Sequence, residues 1–314
     1  MLLWSLMVTS SVSAIPQAAL TRFAYTQYHM GVDARLVVYA PNQKTAEDAA
    51  AAAFARIAEL DTIMSDYRQD SELMRLCAKA GGPPVKVSPE LFLALSRAQQ
   101  VSKESHGTFD VTVGPLIALW RKARKTAILP DPTEIEHARQ RVGWKRMRLN
   151  ERAHTVQLKT PGMKLDLGGI GKGYAADEAQ RVLKQNGIDR ALVELGGDIV
   201  VSGAPPDTDG WTIRAPNAGT DYKPADLKLA NCALSTSGDT EQFVIIEGKR
   251  YSHIIDPRTG QALTKRVQVT LIAPNGMTSD PLTKAVSILG EESRKTLLKA
   301  YKGIQLYLRV LPLE

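Results

Sequence analysis

The segment LDLGGIGKGYAADEA, residues 165–179, contains four glycines, one lysine and three acidic residues, and it leads directly into a helical pattern. A turn without side chains that opens a helix presents backbone N–H groups and the positive end of the helix dipole, which together attract anions. Lys172 adds a full positive charge, and Asp166, at the end of the preceding predicted strand, can accept a hydrogen bond from a ribose hydroxyl or a base edge. The segment therefore predicts a phosphate or nucleotide site. A tight turn that serves only helix–strand packing is the alternative.

The glycine spacing matches neither of two common nucleotide-binding motifs. A dinucleotide fingerprint needs glycines at relative positions 0, 2 and 5, and a P-loop needs Ser or Thr directly after Gly-Lys. Lys172 is followed by Gly173 instead. The prediction depends on the general chemistry of the turn and not on a named motif.

Three other segments carry polar residues at predicted turns. Residues 196–198, Gly-Gly-Asp, join two predicted strands as a hairpin. Residues 235–238 follow a short strand, and their hydroxyl groups either bind a phosphate or form a turn. In RYSHIIDPRTG, His253, Asp256 and Arg258 at one strand end could form an acid/base and phosphate-binding group, or His253 could be a structural histidine.

Asp280 precedes a proline in the segment SDPLTKAVSILG. Aspartate at the N-cap with proline at the first helical position is a common helix start. The alternative role for Asp280 is that of a ligand for a hard cation.

The elements that position these residues follow from hydrophobic spacing. Residues 35–40 are predicted to form a strand. Residues 45–67 are predicted to form a helix, at whose start Thr45 and Asp48 resemble a capping box. Ser88-Pro89 is predicted to start a second helix. Residues 163–167 and several later segments read as strands. The chain begins with predicted helices and continues with strands, between which a few helices are scattered. This order predicts an α+β fold of mixed, largely antiparallel sheets with packed helices, as one unit with two lobes.

Composition limits the classes of function. The chain has 314 residues, 44% of them hydrophobic, and a net charge of +7, which fits a globular protein that binds an anion. Basic residues form no long cluster, so nucleic-acid binding is not predicted. Cys77 and Cys232 lie far apart, so they are either two small buried side chains or, in an exported protein, one disulfide.

Residues 1–20 predict a signal segment, because the apolar run at residues 2–8 is too short to span a bilayer and small residues follow at 11–14. A basic stretch before the run is missing, so a start further upstream or a buried strand is the alternative. Residues 21–314 then form the remaining domain, and export to the periplasm or the outer side of the inner membrane is expected.

Seven segments in this order make the chain resemble the ApbE family of FAD:protein FMN transferases. They are Met30-Gly31, MSDYRQDSEL, GTFDVTVGPLIALW, DLGGIGKGYAAD, ELGGD, STSGD and YSHIIDPRTG. The resemblance implies an ApbE-like two-lobed enzyme that uses FAD and Mg²⁺. It would attach FMN to a threonine or serine hydroxyl of an acceptor flavoprotein through a phosphoester bond and release AMP. The acceptor is expected to be a membrane redox subunit or an exported protein.

The resemblance also implies site residues. Flavin-nucleotide contacts correspond to Met30, Tyr67, Thr108, Phe109, Asp110, Asp166, Lys172 and Ile255. His253 corresponds to a histidine that we expect to accept the proton of the incoming hydroxyl. The implied metal ligands are the carbonyl of Gly169, Asp280 and a threonine, for which Thr283 is the available residue.

The chain departs from the family pattern at Lys284, which stands four residues after Asp280, where the pattern has a threonine. A protonated lysine cannot ligate a cation. Three readings stay open: Thr283 completes the site, Lys284 replaces part of the metal's charge, or metal binding is weak. Two rival functions follow. One is an FAD diphosphatase that gives FMN and AMP, and the other is a catalytically weak FAD-binding protein.

Overall fold

In a computed structural model of the protein, residues 19–238 and 243–311 are described. Within these residues the chain forms eight α-helices and fourteen strands. The helices are α1 (Gln43–Met64), α2 (Glu72–Cys77), α3 (Pro89–Glu104), α4 (Gly114–Thr126), α5 (Pro132–Arg139), α6 (Gly171–Gln185), α7 (Gly276–Ile288) and α8 (Glu291–Lys299). The strands are β1 (Thr21–His29), β2 (Val32–Ala40), β3 (Val85–Lys86), β4 (Met147–Asn150), β5 (Thr155–Leu158), β6 (Ala191–Leu195), β7 (Asp198–Val201), β8 (Trp211–Ala215), β9 (Ala225–Leu229), β10 (Cys232–Gly238), β11 (Phe243–Ile246), β12 (Lys249–Ser252), β13 (Arg266–Ala273) and β14 (Gln305–Leu311).

A seven-stranded antiparallel sheet organises the molecule. Its strand order is β1-β2-β6-β7-β10-β13-β14, and each neighbouring pair is antiparallel. The β1–β2 hairpin turns through Met30 and Gly31, whose φ values of 51° and 79° are those of the turns that suit twisted hairpins. Sequence reasoning missed β1, whose side chains are mostly exposed.

Three groups of buried side chains hold the fold together. The largest lies between one face of the sheet and helices α1, α3, α6 and α7. On the other face, Trp211 and Ile213 of β8 pack with Val37 and Leu234. A third group surrounds Trp120 and joins α4 and α5 to the β11–β12 hairpin. This arrangement of antiparallel sheets and packed helices confirms the predicted α+β class.

Side chains cap the starts of α1, α2, α3 and α5, and the cap predicted for α1 is wrong. Asn42, and not Thr45, caps α1, because the Asn42 side chain accepts the N–H of Thr45 at 2.9 Å. Thr45 therefore lies inside the first turn, and its resemblance to a capping box is coincidental. Ser88 caps α3 as predicted, with Pro89 at the first helical position.

Residues 163–167, predicted as a strand, join none of the sheets in the described part of the chain. Lys164 makes an isolated bridge to Val113, and the N–H of Asp166 donates to the carbonyl of Val111 at 2.8 Å. The apolar alternation of this segment reflects burial of its side chains in the largest core. The segment runs beside the loop that precedes α4, which brings Asp166 close to that helix.

Residues 1–18 of the predicted signal segment lie outside the described residues. Across the ranges that are described, no helix combines the length and apolar character needed to cross a membrane. Cys77 and Cys232 are both free thiols, so the disulfide alternative is not realised here. The Cys77 sulfur instead accepts the N–H of Leu165 at 3.2 Å.

Candidate active site

A cleft of about 1150 Å³ lies between the sheet and the α4–α5 lobe. It exceeds the roughly 300–1000 Å³ typical of small-molecule pockets. Most of the predicted site residues line it, from both sides: Met30, Tyr67, Thr108, Phe109, Asp110, Asp166, Gly169, Lys172, His253 and Ile255. The glycine turn, His253 at the end of β12 and Lys284 of α7 therefore line one cleft, whereas Asp280 does not line it.

The glycine turn is less available to a ligand than its sequence predicts. The N–H of Gly168 donates to Asp166, and the N–H groups of Ile170 and Gly171 both donate to the carbonyl of Leu167. The expected cradle of unused N–H groups is therefore largely occupied by bonds within the protein. Attraction of an anion at this turn depends more on the charged side chains around it.

The N-termini of α6 and α7 cap each other. The N–H of Gly173 in α6 donates to the Asp280 carboxylate at 3.2 Å. In return, Asp177 of α6 accepts the N–H groups of Gly276 and Met277 at 2.7 and 2.8 Å. The prediction that Asp280 is an N-cap before Pro281 is wrong in detail, because α7 already begins at Gly276 and Asp280 lies inside it. Asp280 caps the neighbouring helix and not its own.

Close contact between the two helices makes this exchange possible. A methyl group added at Gly173 would lie 2.2 Å from the carbonyl oxygen of Gly276, and one added at Gly276 would lie 2.4 Å from that of Gly173. No side chain fits at either position without separating the helices. These two glycines therefore fix the distance between α6 and α7.

Two carboxylates and two lysines meet at the base of the cleft. We call Lys172, Asp198, Asp280 and Lys284 the charge cluster. Lys172 Nζ lies 2.9 Å from Asp198 Oδ2, and Lys284 Nζ is hydrogen-bonded to Asp280 Oδ1. Both aspartates are buried, and Asp198 Oδ1 has no hydrogen-bond partner. The formal charges of the charge cluster sum to zero.

The ionisation of the cluster follows from burial and from these contacts. Burial opposes the charge on Asp280, but Lys284 and Lys172 outweigh it and hold the pKa of that carboxyl below its usual range. Burial and the nearby charge of Asp280 raise the pKa of Asp198, against the effect of Lys172. Burial also opposes the charge on Lys172, yet Asp198 and Asp280 raise its pKa.

The three predicted metal ligands differ in whether they reach the cleft. Gly169 lines the cleft, whereas Asp280 and Thr283 are fully buried beneath it. The Thr283 hydroxyl donates to the carbonyl of Asp280 at 2.7 Å, so it is bound to its own helix. Within the described residues, no group of three or more His, Cys, Asp or Glu side chains is arranged to hold a metal ion.

An ion-pair network orders the opposite side of the cleft. Arg121 of α4 pairs with Asp66, and its Nη2 lies 2.9 Å from Asp166 Oδ2. The same guanidinium lies 4.4 Å from the centre of the Tyr67 ring, and that ring is 75% exposed. Burial, and then the charge of Asp66, raises the pKa of Asp166. Tyr67 thus offers a flat aromatic surface held beside a cation.

The loop that precedes α4 is fixed by Asp110. Asp110 Oδ1 accepts the N–H and hydroxyl of Thr112 at 2.8 and 2.7 Å, and Oδ2 accepts the N–H of Trp144 at 2.8 Å. The Thr108 hydroxyl donates to the carbonyl of Ser105. A ligand that uses Asp110, as predicted, must share oxygens that already hold the loop.

His253 directly follows β12 and lines the cleft, whereas its two predicted companions do not. Arg258 donates to both oxygens of Asp256, with Nε and Nη2 at 2.9 and 2.7 Å, and the pair closes the turn before Gly260. The proposed group of His253, Asp256 and Arg258 is therefore wrong, because Asp256 and Arg258 serve the turn. His253 alone is left as the candidate acid/base group of this segment.

Sequence reasoning missed three residues of the site. Asp198 was assigned to an ordinary hairpin, and Asp66 and Arg121 were not considered. The partners of Asp198 and Arg121 lie far away in the chain, so local sequence gave no sign of them. The one sequence signal for Asp198 was its position, as an acidic residue directly after the Gly196–Gly197 turn.

Comparisons with known proteins show the family of the chain. The model of the ApbE family matches residues 30–308. A protein named FAD:protein FMN transferase from Treponema pallidum (strain Nichols) is 36% identical over 268 residues, which cover 80% of this chain and 74% of the relative. A protein of the same name from Klebsiella pneumoniae (strain 342) is 31% identical over 288 residues, which cover 90% of this chain and 82% of the relative.

Solved structures show the same fold. The structure of the flavin transferase ApbE from Vibrio cholerae has a TM-score of 0.81 and 27% identity, covering 93% of this chain and 97% of that chain. The apo form of the flavinyl transferase ApbE from Pseudomonas stutzeri has a TM-score of 0.83 and 26% identity, covering 94% of this chain and 93% of that chain.

Proposed function

The chain belongs to the ApbE family, and from this premise we propose that it is an FAD:protein FMN transferase. It moves FMN from FAD to a threonine or serine hydroxyl of an acceptor protein and releases AMP. The observation that carries this proposal is the single cleft in which Asp166, Lys172 and His253 come together from both lobes. A cleft of this size, with cations at its base and an aromatic ring at its side, suits an anionic flavin dinucleotide.

The transfer is a substitution at phosphorus. The acceptor oxygen forms a bond to the FMN-side phosphorus of the diphosphate, and the bond from that phosphorus to the bridging oxygen breaks, so that AMP leaves with that oxygen. His253 takes the proton of the acceptor hydroxyl. Reactions of this type depend on positioning and on neutralising charge. Lys172, 20% exposed and held by Asp198, supplies positive charge to the diphosphate.

The Mg²⁺ that the resemblance implies stays a prediction, and its expected ligands fit it poorly. Thr283 is bound to its own helix, and the Lys284 ammonium already occupies one oxygen of Asp280. An ammonium repels a divalent ion and cannot serve as its ligand. We therefore derive no step of the reaction through a metal.

A peptide-labelling assay tests the function. The protein is incubated with FAD and a peptide that contains a candidate threonine, and mass spectrometry looks for an FMN-sized addition while chromatography measures AMP. Labelled peptide with an equal amount of AMP supports the transferase. AMP and free FMN without labelled peptide would identify an FAD diphosphatase, and FAD binding without AMP would identify a protein that only binds the dinucleotide.

The role of His253 is tested in the same assay. His253→Ala should lower the transfer rate by about 10²–10⁴-fold, the usual contribution of a positioned general base. His137→Ala is the matched control, because His137 is an exposed residue of α5 outside the cleft. Equal rates for His253→Ala and the unaltered protein would remove His253 from the mechanism.

We also propose where the reaction takes place. The partner is an acceptor flavoprotein, and we propose that it is exported or a membrane redox subunit, reached on the outer side of the inner membrane. The support is the apolar run at residues 2–8 and the small residues at 11–14. Cell fractionation with an antibody against the protein checks this, and recovery in the cytoplasmic fraction alone would contradict it.

A further inference from the structure

We propose that the Lys284 ammonium takes the place of a divalent cation in this chain, so that FMN transfer proceeds without Mg²⁺. The inference rests on the proposed function, because it concerns the charge that the FAD diphosphate meets. The evidence for it is the position of the Lys284 side chain, the hydrogen bonds of the Asp280 carboxylate beside it, and the balance of charge around both residues.

The Lys284 side chain lies against both residues that were expected to hold a metal. A methyl group added at Gly169 would lie 3.6 Å from Lys284 Cγ and 3.7 Å from its Cε. The lysine therefore runs past Gly169, and its ammonium is hydrogen-bonded to Asp280 Oδ1. A metal ion held by Asp280 near Gly169 would compete with this ammonium for the Asp280 carboxylate.

Both oxygens of Asp280 already have partners. Oδ2 accepts the N–H of Gly173 at 3.2 Å, and Oδ1 accepts from Lys284. Asp280 is fully buried, whereas the Lys284 side chain is 20% exposed and lines the cleft. Mg²⁺ requires near-ideal octahedral oxygen ligands at roughly 2.0–2.1 Å. The described residues offer it the Asp280 carboxylate, both of whose oxygens are bound, and a hydroxyl on Thr283 that donates to its own helix. The nearby Asp198 carboxylate has one free oxygen, but its Oδ2 is already paired with Lys172.

The charge balance also favours an ammonium over a divalent cation at this site. Lys172 and Lys284 compensate Asp198 and Asp280, so the charge cluster is neutral without any ion. Before FAD binds, a divalent cation would leave an excess of two positive charges at this largely buried site, which is costly. With threonine at position 284 the same cluster would carry one excess negative charge and would attract a cation.

The Lys284 ammonium can bind a diphosphate by donating hydrogen bonds and by its positive charge. It has three N–H donors, and within the described part of the chain Asp280 takes one of them. The others are left for phosphate oxygens at the cleft surface. Lysine binds phosphate as a point charge, so Lys284 and Lys172 can each place an ammonium against diphosphate oxygens without a metal.

The test compares metal dependence in two proteins. The unaltered protein, freed of metals and assayed in EDTA, should label a threonine peptide from FAD at the rate seen with Mg²⁺. Lys284→Thr should label slowly in EDTA and regain activity with Mg²⁺, a difference of about 100-fold, comparable with the loss of one preorganised charge-stabilising group. Lys125→Thr, at an exposed position of α4, should behave like the unaltered protein.

A binding measurement keeps the inference testable apart from activity and from the folding of any variant. Isothermal calorimetry of Mg²⁺ into the unaltered protein should show no binding at the protein site, with FAD absent. Lys284→Thr should gain a site, and Mg²⁺ should raise its melting temperature. If Lys284→Thr fails to fold, the calorimetry and the EDTA assay on the unaltered protein still decide.

Each outcome has a defined meaning. Labelling that EDTA abolishes and Mg²⁺ restores in the unaltered protein overturns the inference and leaves the transferase function standing. If no peptide is labelled under any condition, the proposed function fails, and calorimetry alone decides about Lys284. Heat of Mg²⁺ binding to the FAD-free unaltered protein would then overturn the inference, and its absence together with a new site in Lys284→Thr would support it.

Discussion

Loss of the ion pair between Lys172 and Asp198 should be measurable as a loss of stability. Nζ lies 2.9 Å from Oδ2, and the two side chains are 20% and 3% exposed. At an effective dielectric constant of about 20, two unit charges at that distance attract each other by about 6 kcal/mol, before the cost of removing both from water. The net contribution is smaller, since desolvation opposes most of this attraction.

Replacing Lys172 with methionine leaves Asp198 buried, with Oδ1 already lacking a partner. We expect Lys172→Met to lower the free energy of unfolding by about 3–5 kcal/mol, as for other broken buried pairs. Adding Asp198→Asn removes the uncompensated charge, so the double variant should recover part of the loss. Urea denaturation of the four proteins, followed by tryptophan fluorescence, should give a coupling energy of about 1–3 kcal/mol.

An exposed pair supplies the control. Arg214 and Asp226 lie 3.1 Å apart with side chains 66% and 54% exposed, and the same cycle there should give a coupling energy near the low end of about 0.2–1 kcal/mol. A coupling between Lys172 and Asp198 no larger than this would refute the reasoning. It would mean that the base of the cleft is hydrated well enough to screen its charges.

Three further predictions concern single residues. Gly173→Ala should destabilise the fold by about 1–3 kcal/mol, because the added methyl meets the backbone of Gly276. Gly290→Ala, with no atom within 4 Å of its added methyl, should lower the melting temperature less, because it only replaces the N-cap glycine of α8. Burial raises the pKa of Asp177 to about 6, so the folded state holds this proton more tightly than the unfolded chain does; stability should fall by about 3 kcal/mol as pH rises from about 4 to 6, and Asp177→Asn should flatten that slope in denaturation series at several pH values. Tyr67→Ala should weaken FAD binding about tenfold through loss of ring stacking in a fluorescence titration, and an unchanged affinity would place the flavin elsewhere.

Local sequence patterns predicted those helices and strands that are specified by residues close to one another in the chain. The cap at Ser88 and the apolar spacing of α1 are of this kind, because a side-chain cap and one helical face are short-range features. The exposed edge strand β1 was missed because few of its side chains are buried and its alternation is weak. Residues 163–167 alternate like a strand, but they are held by one bridge and a bond to the loop before α4.

The site was only partly predictable, because its contacts join distant segments. Lys172 and Asp280 stood out through their local patterns, yet Asp198 acquires its role only when the β6–β7 turn is placed beside α6. The local sequence around Asp280 reads correctly as an N-cap signal. The tertiary structure overrides it, since Asp177 caps α7 from outside and Asp280 caps α6 in exchange.

The exchange of caps fixes the position of the Asp280 carboxylate without help from Lys284. Gly173 and Gly276 let the two helices touch, and Asp280 Oδ2 then serves the N-terminus of α6. This bond holds the carboxylate in place whatever occupies its other oxygen. Oδ1 is therefore free to pair with Lys284 from the next turn of α7. In this chain the fold fixes the carboxylate, and Lys284 supplies the cation that pairs with it.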